Sequence, residues 1–98
     1  MTTIDRIRPQ ATLTLDNGTK RCVQLKQLED FFNGVVPEGK PILLVTKKMK
    51  VAQGAFVSFE NPADGEYLVY IRPHGAASCS VFHIDHLVAY AYDTAADL

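Results

Sequence analysis

The densest run of chemically capable side chains is Cys79-Ser80-Val81-Phe82-His83-Ile84-Asp85-His86. Cysteine, histidine and aspartate are zinc ligands, and a histidine within reach of a cysteine can activate its thiolate. The spacing limits both chemistries. On an extended strand Cys79, His83 and Asp85 share one face, and His86 points the other way. Cys79 and His83 then lie roughly 13 Å apart along the chain, too far to grip one metal or exchange a proton. Only His83 with Asp85, or His83 with His86 across a turn, can act together. The competing reading is a set of polar side chains near the end of a half-exposed strand. That reading ranks first, so no metal and no cofactor is expected, and His83 and His86 remain candidate ligand-binding residues.

The second cluster is Lys47-Lys48-Met49-Lys50, the basic run of the chain. It could meet a phosphate backbone, or it could be the charged guard of a strand end. No aromatic residues are interleaved with it, as a base-stacking platform requires. Lys47, Lys48 and Lys50 are the candidate binding residues here, joined by Arg6 and Arg8 if the partner is nucleic acid. Asp30 and Asn33 read as local capping groups. No glycine-rich phosphate loop, serine elbow or spaced carboxylate pair occurs. No catalytic residue is nominated, and a binding role is preferred to an enzymatic one.

These residues sit in a chain of 98 residues, the size of one domain. The hydrophobic fraction of 47% supplies a core. The net charge of −1 gives no bulk attraction for nucleic acid or an anionic membrane. No apolar stretch is long enough to cross a bilayer, and Met1 to Pro9 lacks the apolar core of a signal peptide. The expected compartment is the cytoplasm, where Cys22 and Cys79 stay reduced.

Ala11-Thr12-Leu13-Thr14-Leu15 alternates with period two, as a half-buried strand does. Asp16-Asn17-Gly18 suits a tight turn with positive φ at both central positions, and Arg21 to Leu25 returns. Leu25, Leu28 and Phe32 form a helical stripe that Gly34 ends, which predicts one short helix over about 25–33. Further strands are expected over 41–46, 55–59, 67–71, 80–84 and 88–92, with a single 3₁₀ turn at Asp85-His86-Leu87. The fold class is mainly β: a small antiparallel barrel, or a strongly bent sheet, of six or seven short strands with one helix. One domain spans 1–98, with its ordered core over about 10–92 and frayed ends.

The order of helix and strands, and the ending Val81-Phe82-His83-Ile84-Asp85-His86-Leu87-Val88-Ala89-Tyr90, resembles the Sm-like small barrel, in which a strand, a 3₁₀ link and a last strand finish the fold. The run Gln27-Leu28-Glu29-Asp30-Phe31-Phe32-Asn33 resembles an uncharacterised bacterial β-domain family, over roughly residues 10–92. The second resemblance implies a bacterial or phage setting and no particular activity. Two features depart from the Sm-like pattern. The helix follows the first hairpin instead of preceding the first strand, and Arg21-Cys22-Val23-Gln24 has no glycine. No residue motif matches that family's RNA pocket, so RNA binding is not implied.

The leading functional expectation is a non-catalytic binding or assembly module, an accessory or regulatory protein for a protein or small ligand. The alternatives are a nucleic-acid-binding small barrel and a small metal-dependent enzyme centred on His83, Asp85 and His86. A homo-oligomer is expected because Tyr67-Leu68-Val69-Tyr70-Ile71 and Ile42-Leu43-Leu44-Val45 are apolar on both faces. One short helix cannot cover all of that surface. The interface would use Tyr67, Val69 and Ile71, or their alternates Leu68 and Tyr70.

Overall fold

The computed structural model describes residues 10–15 and 17–94. Its first element is the hairpin that alternation demands. Strand β1 (Gln10–Thr14) pairs antiparallel with β2 (Lys20–Gln24), placing Ala11 opposite Val23. Leu13, Leu15 and Val23 are buried on one face. The turn is longer than a two-residue loop. The Leu15 amide donates to the Thr19 carbonyl, and the Gly18 amide donates to the Leu15 carbonyl. Gly18 takes a φ of 85°, whereas Asn17 does not adopt a positive φ. The Asn17 side chain instead accepts a hydrogen bond from the Thr19 amide.

Helix α1 (Glu29–Phe32) is a single turn, shorter than the expected 25–33. Leu25 belongs to the hairpin's core, and the Lys26 amide donates to the Tyr90 carbonyl of the last strand. In so short a helix the inward face is set by one i, i+3 pair, here Leu28 and Phe31. Phe31 is buried and Phe32 is about half exposed, the reverse of the expected stripe. Gly34 does stop the helix. It has a φ of 69°, and the Val35 amide donates back to the Asp30 carbonyl.

The main sheet has five antiparallel strands in the order β6-β5-β4-β3-β7. They are β3 (Pro41–Thr46), β4 (Val51–Ala63), β5 (Glu66–Arg72), β6 (Ser80–His83) and β7 (Leu87–Tyr92). A 3₁₀ turn at Ile84–His86 joins the last two. The protein is therefore mainly β, with seven strands in two antiparallel sheets among the described residues. No closed barrel forms among the described residues, since β6 and β7 both remain edges. Strand β4 starts four residues before the expected Ala55, because Lys47 to Lys50 is a tight turn and not a strand terminus.

The sheet is covered on both faces. Along β3, Ile42 and Leu44 enter a core with Phe31, Phe56, Val69, Ile71 and Tyr90 beneath the helix. Leu43 and Val45 enter a second core with Leu13, Leu15, Val23, Val51 and Ala91 beneath the hairpin. The continuous apolar run of β3 thus has the meaning expected of a strand buried on both sides. On β5, Val69 and Ile71 are fully covered within one chain and cannot meet a second copy. These two expected contacts sit inside the core, whereas Tyr67 and the alternates Leu68 and Tyr70, which join neither core, stay half-exposed.

Asp93, one residue past the expected ordered core, is 1% exposed. Its carboxylate accepts from Arg21 Nε at 3.3 Å and from Gln53 Nε2 at 2.9 Å. Its amide donates to the Pro41 carbonyl. A buried charge must be paired and hydrogen-bonded, and this one ties the hairpin, β4 and the end of β7 together.

Candidate functional site

Three elements build the site, starting with the β3–β4 turn. The Thr46 amide donates to the Lys50 carbonyl and the Met49 amide donates to the Thr46 carbonyl, both at 2.8 Å. The Lys50 amide donates to Thr46 Oγ1 at 3.1 Å. This is the bonding pattern of the first hairpin's turn, with Met49 where Gly18 stands. Met49 has a φ of 64° and is the sole non-glycine residue with positive φ among the described residues. An unbranched side chain is thus held in a conformation that favours glycine, on a tip where it is 75% exposed.

The second element is the 3₁₀ turn. The Lys47 amide donates to the His86 carbonyl at 2.9 Å, which locks the lysine turn against it. His83 caps this turn: its Nδ1 accepts from the Asp85 amide at 3.1 Å. The same Nδ1 lies 3.7 Å from the Asp85 carboxylate. The His83 and His86 rings lie 5.8 Å apart between centroids.

The third element is β6, which contributes Phe82. Together they enclose a groove of about 570 Å³ whose walls are Lys47, Lys48, Lys50 and His86. Val51, Ala52 and Phe82 supply apolar surface. All three lysines are exposed, and none forms an ion pair among the described residues. The five binding residues expected from sequence therefore gather at one end of the sheet: four line the groove, and His83 stands beside His86. Arg6 and Arg8 lie outside the described residues.

Cys79 takes no part, and both cysteines are free. Among the described residues no group of three or more His, Cys, Asp or Glu side chains could hold a metal ion. No described helix is long and apolar enough to cross a membrane.

Sequence reasoning missed Thr46, Val51, Ala52 and Phe82 as groove residues. Thr46 carried a usable signal, because a hydroxyl four residues before a lysine at a strand end can bond its amide. It also missed the pairing of Tyr90 with Asp30. The Tyr90 hydroxyl is buried and donates to the Asp30 carboxylate. Burial first, and that hydrogen bond second, push the phenol well above its ordinary value of 10.0.

Comparison with known protein families, curated proteins and solved structures finds no match.

Proposed function

We propose that this protein is a non-catalytic binding module whose site is the lysine groove and whose partner is anionic. The carrying observation is the convergence of Lys47, Lys48, Lys50 and His86 on one groove, with no ion-pair partner for the lysines among the described residues. Like charges gathered on one tip repel one another, and an anionic group placed among them relieves that cost. The chain's net charge of −1 makes this a local patch and not a general affinity for polyanions. Anisotropy of fluorescent polyphosphate tests the reading. Saturable binding is expected, weakened by salt and lost when Lys47, Lys48 and Lys50 are all replaced by Ser. Undiminished binding by that folded variant would overturn it and leave the lysines as a strand-end guard.

The proposal includes a strongly bent, Sm-like sheet. In a flat five-stranded sheet β6 and β7 would stand roughly 19 Å apart. The link from His83 to Leu87 spans at most about 15 Å even when fully extended, and a 3₁₀ turn is much shorter. The sheet must therefore curl to bring its edges toward each other. Two further features support the resemblance. Helix α1 precedes the first strand of this sheet, with the β1–β2 hairpin as an addition before it. The sheet's second strand, β4, carries Gly54 at a close backbone approach.

Self-assembly is a second part of the reading. Tyr70 on β5 pairs with Val81 on β6, which is 49% exposed, and Leu68 lies on the same uncovered face. Light scattering after size exclusion should give a multiple of 10.8 kDa, and Tyr70→Lys should reduce it. A monomer mass for the unmodified chain would remove this element.

A further inference from the structure

Among the described residues, strand β4 has a stretch of backbone with no partner strand on one side, at the floor of the lysine groove. The Thr46 amide donates to the Lys50 carbonyl, and the Phe56 amide donates to the Lys40 carbonyl. Hydrogen-bonded positions alternate along an antiparallel ladder, so Ala52 and Gly54 are the residues of β4 that bond across to β3 between those two points. Val51 and Gln53 turn their N–H and C=O groups the other way. On that side the ladder with β5 begins only at Ala55, opposite Arg72. Beyond Arg72 comes Pro73, which has no amide hydrogen, and the chain turns away at His74 and Gly75. Two clefts open along this edge and share Val51 and Ala52. One is the lysine groove, and the other, of about 680 Å³, continues past Gln53 to Ile71 and His74.

Resting on the reading of the groove as an anion site, we infer that this edge docks an extended acidic polypeptide segment. Its backbone adds to β4 at Val51 and Gln53, and its carboxylates meet Lys47, Lys48 and Lys50. An open strand edge offers N–H donors and C=O acceptors together, and a second polypeptide backbone complements both. A phosphodiester chain brings acceptors only and leaves the Val51 and Gln53 carbonyls without donors. The lysines are flexible point charges, which suit carboxylates spaced along a strand. Strand addition also presents alternate side chains of the segment to the two sides of the edge. The segment therefore alternates acidic residues with small uncharged ones.

A short fluorescein-labelled peptide of alternating Glu and Thr tests this. It is compared with two N-methylated forms, one at the Glu amides and one at the Thr amides, and with oligothymidylate of matched charge. We expect one N-methylated form to bind about tenfold more weakly while the other retains affinity. The reason is that only alternate amides face one edge. Bound peptide should also slow hydrogen exchange at the Val51 and Gln53 amides. Equal binding by both N-methylated forms, or tighter binding of oligothymidylate, would overturn strand addition while leaving the anion site standing. Failure of peptide, oligothymidylate and polyphosphate alike would overturn both.

Discussion

The Tyr90 hydroxyl donates to the Asp30 carboxylate across sixty residues of sequence, joining the last strand to the single-turn helix. The bond matters because α1 has too few residues to be stable alone. The Phe31 and Tyr90 ring centroids lie 4.8 Å apart, so the same tyrosine holds the helix by packing and by polarity.

Tyr90→Phe should therefore cost about 1–2 kcal/mol, the worth of a hydrogen bond to a charged acceptor that stays partly hydrated. The pH dependence follows from the raised phenol. As pH passes 10.0, an unfolded tyrosine loses its proton while the folded one keeps it. Tyr90's contribution is thus complete below pH 10 and declines above it. Urea midpoints measured from pH 8 to 11 should fall less steeply in the Phe variant than in the parent. Parallel slopes would contradict the assignment.

Asp93 is a buried charge held by Arg21 and Gln53. Removing one partner strands part of that charge, so Arg21→Ala should cost about 2 kcal/mol. Asp93→Asn removes the charge as well as an acceptor and should recover part of that loss in the double variant. Additive losses in a double-mutant cycle by urea unfolding would mean that the two side chains do not interact.

The two equivalent turns make opposite predictions. Met49→Gly should stabilise the fold by about 0.5–1 kcal/mol, since relief of the left-handed backbone exceeds glycine's entropy cost. Gly18→Ala, at a φ of 85° with open space around the Cβ, should destabilise by about 1 kcal/mol. Melting temperatures decide both. A Met49→Gly variant that melts lower would show that the Met49 side chain contributes packing its exposure does not reveal.

A Cβ added at Gly54 would lie 2.8 Å from the Arg72 carbonyl oxygen and 3.0 Å from Pro73 N. Both are backbone atoms and cannot move aside like a flexible side chain. Gly54→Ala should cost about 1–3 kcal/mol and loosen β4 from β5. Hydrogen exchange at the Ala55 amide, on the side that faces β5, should accelerate relative to the hairpin. Unchanged exchange there would show that β4 and β5 accommodate the added methyl without parting.

Several features were legible because they are local. Alternation in 11–15, the double-sided run 42–45 and Gly34 as a helix stop all depend on residues close in sequence. The side chains themselves carry the period or the φ requirement. Phe31 and Phe32 were exchanged because neighbouring aromatics differ only in which of them the sheet lies beneath. The start of β4 was hidden because Val51-Ala52-Gln53-Gly54 has weak strand propensity, and pairing with β3 supplies what propensity lacks.

The lysine and histidine clusters were separately visible as types of residue, but not as neighbours. Their meeting depends on the Lys47 amide reaching the His86 carbonyl, and sequence spacing encodes no such long-range contact. The same holds for Asp93, which reads as tail until Arg21 and Gln53 surround it, and for Asp30, which reads as a capping group until Tyr90 arrives. Sequence by itself determined which segments could be strands and which faces must be dry, because alternation and burial are properties of nearby side chains. Only the tertiary structure decided which charges face one another and which strand edge stays open. Those outcomes depend on where the chain turns in space, at Lys47–Lys50 and again at Pro73, and on what each turn brings alongside.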